Sequence, residues 1–470
     1  MSSGNIFDER IEMMVVSPNT HMLQIARFLR PTLSMQATPS DRPFRPTSTI
    51  SSFSTHLLKV KFRGWVDPQL NWQVWVDNMK LIYSPVWKRV KIHDAILNSL
   101  LKIPQRKSLI LWFAEKWSPK TNTFIFPWGE ISITLEDMMV LGGFSVLGGP
   151  VTCHVESPED HLTLHKLNKA YTKLVRTPSK RVSFNAWMEK FTCRQKTHEH
   201  EAFLALWLSK YLFSSVKNTI LPETFQLAIL LARGRRIAMA PAVLATLYRD
   251  LHILQDAILD VQPGISGMVL PEVFSPMYYV QVWIWERFPC VRPRDLHNTQ
   301  GKGTRLAQWA GLHNEVTDYG ALELGTRKEH FVWRPYARDT NHFLAHKVYN
   351  VNGSVRRINN EEVESFARCL RVCKLVGLDI NQHYLPHRVS RQFGYAQDIP
   401  ADTLLVEDNE DPWAKYSTPL LNGNIYIPSK DFEGHVTVRY EEWWEKEPVS
   451  PAGPRVPPPP KRRRKKIMAT

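Results

Sequence analysis

Apolar residues recur at helical spacing along most of this chain. His93–Lys102 and Ser108–Trp117 place them at intervals of three and four, parted by Ile103-Pro104, where proline disfavours helix continuation. Ser183 stands as an N-cap before Phe184, Trp187, Met188 and Phe191. His198–Phe213 carries Phe203, Leu204, Leu206, Trp207, Leu208, Tyr211 and Leu212, apolar almost all round, which predicts a buried helix. Pro222–Ala232, Pro241–Leu259 and Pro271–Phe288 each begin at proline, which suits a first helical turn. Glu361–Val376 predicts one further amphipathic helix, ended by Gly377. Near the start, Leu23–Leu29 fits a helical turn or two.

Strand signals are fewer. Thr123–Phe126 and Glu130–Ile133 are β-rich runs around Pro127-Trp128-Gly129, which reads as a tight hairpin with Gly129 free to take a positive φ. Phe124, Phe126, Ile131 and Ile133 share parity within each arm, so one hairpin face should be buried. Thr134 then opens a capping box with Asp137, followed by Leu135, Met138, Met139 and Leu141, and Gly142-Gly143 end that short helix. Asn424–Pro428 and His435–Tyr440 suggest a pair late in the chain. No fixed-period repeat is present. The predicted fold class is mainly α (α+β): a large helical domain with a short β-hairpin near 123–133 and a late β-pair.

Three segments follow from this pattern. Residues 1–54 form an N-terminal segment and linker, since Pro31–Ser54 is rich in Pro, Ser and Thr. Residues 55–445 form the globular domain. Residues 446–470 form a disordered tail, because Pro448, Pro451, Pro454, Pro457–Pro460 and KRRRKK cannot bury a core.

The stretch Trp117–Val151 resembles the plant mobile domain family, often labelled aminotransferase-like. Further blocks are similar in the same order: Trp87-Lys88-Arg89 with Ile92–Ile96, Ser108–Ile110 leading to Ala114–Trp117, Ala242–Arg249, Trp283–Pro289, Arg388–Gly394 and Gln397–Pro400. The resemblance runs from about residue 20 to about residue 400. Its structural signature here comprises Trp117, Phe126, Pro127, Trp128, Gly129, Glu130, Thr134, Leu135, Asp137, Gly142, Trp285, Arg287, Arg391, Gln392, Phe393 and Gly394. The resemblance implies a protein found in plants, in transposable elements and in host genes. Some host members resemble nuclear factors needed for meristem maintenance and transposon silencing. It carries no catalytic residue set. An aminotransferase needs a Schiff-base lysine for pyridoxal phosphate and an acidic partner for the ring nitrogen; no lysine here stands in a recognisable context for that role. The expectation is a non-enzymatic nuclear interaction scaffold without cofactor or metal. The alternative is a transposon-derived nucleic-acid-binding protein.

Composition agrees with a large core: 43% of residues are apolar, with 16 Trp and 21 Phe. Five Cys without paired spacing suit a reducing compartment. The opening MSSGNIFDERIEMM carries acids and no apolar run, so no signal peptide is expected. No run of ~18 apolar residues predicts a membrane span. Net charge is +15, of which Lys461, Arg462, Arg463, Arg464, Lys465 and Lys466 supply six, leaving +9. Those six cations on a Pro-stiffened stalk read as a nuclear localisation signal, with an import receptor as partner and nucleic acid as a second ligand of the tail.

Other clusters have simpler readings. Cys369, Cys373, His383 and His387 offer four zinc-type ligands. The Cys-to-His gap is nine residues, where a finger has about twelve, and both Cys lie on the apolar stripe of the predicted helix. Cys193, His198 and His200 form a looser set, read as exposed residues at a helix start. His93-Asp94 lacks the further ligands of a metal phosphohydrolase, and Asp94 suits a first helical turn. Gly301-Lys302-Gly303-Thr304 fails as a phosphate loop, because Gly303 follows the lysine and Leu296 stands where glycine is needed. Arg233-Gly234-Arg235-Arg236 precedes a helix of core composition, unlike a DNA-reading helix. Trp283 and Trp285 point ~200° apart on a helix, which predicts one in the core and one partly exposed.

Overall fold

The computed structural model describes residues 6–31, 58–175, 181–192, 197–214, 219–260, 271–294, 303–312, 319–337, 348–349, 351–401, 411–420 and 423–446. About 48% is helical and 17% strand, the mainly helical body with small sheets that the residue pattern predicts.

Its centre is the predicted hairpin and helix. Trp117–Ser118, Thr123–Phe126 and Gly129–Ile131 form a small antiparallel sheet, with Phe124 opposite Ile131. Gly129 turns the hairpin at φ 143°, where a side chain would be strained. Thr134 Oγ1 accepts from the Asp137 amide while the Asp137 carboxylate accepts from the Thr134 amide, and the helix Leu135–Gly142 ends on a left-handed Gly143. Phe124, Phe126, Ile131 and Ile133 are all buried. Trp283 stacks on Phe124 at 5.3 Å, and Phe113 and Phe288 close around Phe126 at 5.9 Å. The helix Met239–Leu259 runs beside this sheet, and Tyr248 Oη donates to the Ile133 carbonyl at 2.7 Å.

Several elements depart from the sequence reading. Leu23–Leu29 is strand: Phe7–Ser17 (β1) and Thr20–Leu29 (β2) form a hairpin, turned at Pro18-Asn19 with Asn19 at φ 65°. Met14, Ala26 and Phe28 pack on Ala396, whereas Ile11, Leu23 and Ile25 face away. That is a period of two, which a seven-residue window cannot separate from helix. Glu361–Val376 breaks into the helix Glu361–Cys369 and the strand Cys373–Val376, paired with Asn381–Tyr384. Arg368 and Arg371 donate to the Thr418 carbonyl at 3.2 and 2.9 Å and hold the turn between them. The two late strands do not pair with each other. Asn424–Ile427 pairs with Ser354–Arg357, and Val436–Thr437 pairs with β1. Beyond Thr437 the chain is helical, Val438–Glu445, because Tyr440 and Trp444 sit one turn apart and pack on Ile125.

Helix starts shift as well. Pro271 precedes a two-residue strand, Glu272–Val273, paired in parallel with Lys61–Phe62, and the helix begins at Tyr278. Asp250 forces the turn by accepting from the Phe274 and Ser275 amides, both at 2.6 Å. The apolar run after His198 is α-helical over Glu199–Trp207 and continues as a π-helical turn over Leu208–Leu212. Trp283 and Trp285 are both fully buried, because the core surrounds the whole helix Tyr278–Arg287. No helix among the described residues is long and apolar enough to cross a membrane.

Candidate functional site

The signature residues converge on a polar lattice inside the protein. Asp137 Oδ2 caps the helix, accepting from Thr134 N and Oγ1, each at 2.7 Å. Its Oδ1 accepts from Arg287 Nη2 at 3.0 Å and from Tyr336 Oη at 2.7 Å. Both ionic side chains are withdrawn from solvent, at 1% and 0% exposure. Arg287 also donates to the Trp333 carbonyl. Next door, Tyr349 donates to Glu136. Burial pushes the Glu136 carboxyl up to about 7, against the opposing pull of that hydrogen bond.

A second arm ties the hairpin to Pro386–Phe393. Glu130 takes a two-pronged bond from Arg388 at 2.7 and 2.6 Å, with both side chains buried. The Gln392 amide completes the open strand edge, accepting from Ser132 N at 2.8 Å and donating to Ser132 O at 2.7 Å. Arg391 lies 3.7 Å over Trp333 and donates to the Gly434 carbonyl. Gly394, at φ 80°, leaves no room for a side chain beside Arg334. Phe393 and Leu135 are fully buried, Trp117 packs on Phe124, and Trp285 packs on Trp309. Trp128 donates to Thr326 O, and Pro127 O accepts from Trp444. Gly142 is buried in the helix end beside Phe144.

None of the signature residues lines either of two surface clefts. The larger, about 1110 Å³, lies among His154, Tyr171, Arg181, Glu223, Arg249 and Asp379. A smaller one of about 350 Å³ holds Lys88, Lys91, His93, Asp94, Arg236 and Glu361. Within it Arg236 and Lys91 reach Glu361 at 2.9 and 3.7 Å, and His93 meets Asp94 at 2.9 Å.

The other clusters separate. Cys369 and Cys373 are buried on different elements, His387 is buried, and His383 is exposed on a strand. Arg233 pairs with Asp160 and Glu201 at 2.8 Å. The helix following this arginine cluster is buried from Met239 to Tyr248. Thr304 donates to Asn98 at 2.5 Å, while Gly301, Lys302, Cys193 and Lys461–Lys466 lie outside the described residues. Among the described residues no group of three or more His, Cys, Asp and Glu side chains is placed to hold a metal ion.

His200 is buried, not exposed. Its Nε2 accepts from Trp87 Nε1 at 2.9 Å and its ring stacks on Tyr83 at 3.7 Å. Burial and then Arg233 push its pKa down to about 3. The unfolded chain takes up this proton near 6.5, so folding stability is full above 6.5 and is lost as pH falls toward 3. Between pH 6.5 and 4.5 this group alone should remove about 2 kcal/mol. Denaturant titrations should find a shallower pH dependence in His200→Gln; an unchanged slope would show that the imidazole takes up a proton in the native state.

Sequence reasoning missed Tyr336, Tyr349 and Arg388 as partners of the lattice. Tyr336 and Tyr349 lie about 200 residues from their carboxylates, with no local pattern around them.

A family profile described as plant mobile domain matches residues 91–445. The chain belongs to the plant mobile domain family. It is 26% identical to the serine/threonine-protein phosphatase 7 long form homolog of Arabidopsis thaliana, over 63% of the chain and 22% of that protein. It is 24% identical to the Arabidopsis thaliana protein Main-like 2, over 63% of the chain and 42% of that protein. It is 25% identical to the Arabidopsis thaliana protein Maintenance of Meristems, over 64% of the chain and 59% of that protein. The chain thus spans less than two thirds of the length of these relatives. No solved structure matches it.

Proposed function

We propose that this plant mobile domain chain is a non-enzymatic nuclear interaction scaffold. Its folded body docks partner proteins and its tail, Lys461–Lys466, binds an import receptor. The observation that carries this reading is the inward commitment of the signature polar groups. Catalysis needs side chains that reach a substrate; Asp137, Arg287, Glu130, Arg388 and Gln392 reach one another and the backbone. The name of the relative Maintenance of Meristems supports meristem maintenance and development as the process served; transposon silencing follows from the family resemblance alone. A net charge of +15 favours the competing reading, a transposon-derived nucleic-acid binder.

Replacing Lys461–Lys466 by alanine in a fluorescent fusion should move the protein from nucleus to cytoplasm. At 54.5 kDa before fusion, entry by diffusion is inefficient. Unchanged nuclear enrichment would remove the tail from this account.

A further inference from the structure

The outer face of the β1–β2 hairpin is apolar at its centre and is not covered by any of the described residues. There Ile11 stands opposite Ile25 and Met13 opposite Leu23, exposed at 68, 63, 41 and 66%. The inner face is committed to the body: Met14, Ala26 and Phe28 pack on Ala396, while Arg10 and Glu12 meet Asp398 and Arg439. Strand β1 is flanked by Val436–Thr437, leaving Thr20–Ala26 of β2 as the sheet edge among the described residues, while Ala396 bridges β2 at Phe28. Thr20–Ala26 contains no Asp, Glu, Lys, Arg or Pro, the residues that usually keep exposed strands apart.

We propose that this face joins two copies of the chain, hairpin stacked on hairpin about a two-fold axis. This goes beyond the scaffold reading and does not depend on nuclear import. Area and charge select a second copy as the occupant. Four side chains at these exposures leave on the order of 400 Å² per copy, and the rim of Val15, Val16 and His21 brings the pair to about 1,000 Å², the lower end for specific association. The nearest charges already form an internal pair, Arg27 to Glu9 at 2.6 Å. The face therefore meets itself without opposing like charges, and offers no net charge to a basic or acidic partner. The body restricts the geometry. Arg27 lies 4.1 Å over Tyr426 at the hairpin base, so the tip of one copy rests toward the base of the other. Reversed strands then set Ile11 over the partner's Met13 and Ile25 over the partner's Leu23.

Sedimentation equilibrium of the full-length chain tests this. The expected result is a monomer–dimer equilibrium with a micromolar Kd, as an interface of this size supports. Ile11→Lys and Ile25→Lys should each weaken it at least about tenfold, with thermal unfolding unchanged at concentrations well below the Kd, where the parent is monomeric, because both side chains are exposed. Ile11→Glu combined with Met13→Lys should restore association in a salt-sensitive form. A wild-type chain that stays monomeric would overturn the proposal, including by its own residues 32–57 covering the face. So would a dimer indifferent to Ile11→Lys but abolished by Gln24→Pro, which would place the contact on the β2 edge.

Discussion

Asp137→Ala should leave the chain largely insoluble, or fold it with a sharply lowered Tm. The substitution removes two bonds that cap Leu135–Gly142 and strands the Arg287 guanidinium, which is fully buried. Breaking a buried ion pair from one side costs about 3–5 kcal/mol, and loss of an N-cap partner about 1 kcal/mol more. A domain of ordinary stability has only about 5–15 kcal/mol in total. Asp137→Asn, which keeps the shape but not the charge, should fall between. Asp137→Leu combined with Arg287→Met should be milder than Asp137→Leu alone, since no charge is then left buried. Soluble yield and thermal unfolding read all of these. An alanine variant as stable as the parent would mean that the carboxylate is held for chemistry and not for the fold.

Phe126→Ala is expected to be nearly as damaging. Phe126 is 2% exposed and its ring meets Trp112, Phe113, Trp128 and Phe288 within about 6 Å. The hairpin cannot collapse into the space, because Glu130–Arg388 and the Gln392 amide fix its other side. Truncation should therefore cost about 3–5 kcal/mol. Chemical denaturation of the purified protein measures it, and a loss below about 1 kcal/mol would place the face against something softer than a packed core.

The local signals in the chain were strong where one short segment determines its own structure. Thr134 and Asp137, three residues apart, specify a capping box, and Pro127-Trp128-Gly129 specifies a turn. Both occur as read. Elements set by distant partners were not legible. Asn424–Ile427 looks for the nearest strand in sequence but finds Ser354–Arg357. Cys373–Val376 carries the apolar stripe of a helix, yet pairs as a strand because Asn381–Tyr384 returns beside it. The lattice was legible only in part: Asp137 reads as the capping-box partner of Thr134, and Arg287 only as one residue of the family signature. Their join, across 150 residues, follows only from the fold.

Electrophoretic shifts of the 1–446 fragment, on random and genomic DNA across a salt series, separate a scaffold from a nucleic-acid reader most directly. With the tail as the polyanion contact, the full chain should bind with a log–log salt slope of up to about −5, and the fragment should bind either DNA weakly or not at all. Arg233 and Arg236 support this expectation, being held by Asp160, Glu201 and Glu361 ahead of a buried helix. Sequence-selective binding by the 1–446 fragment would contradict the scaffold reading, because base contacts specify where phosphate contacts only position.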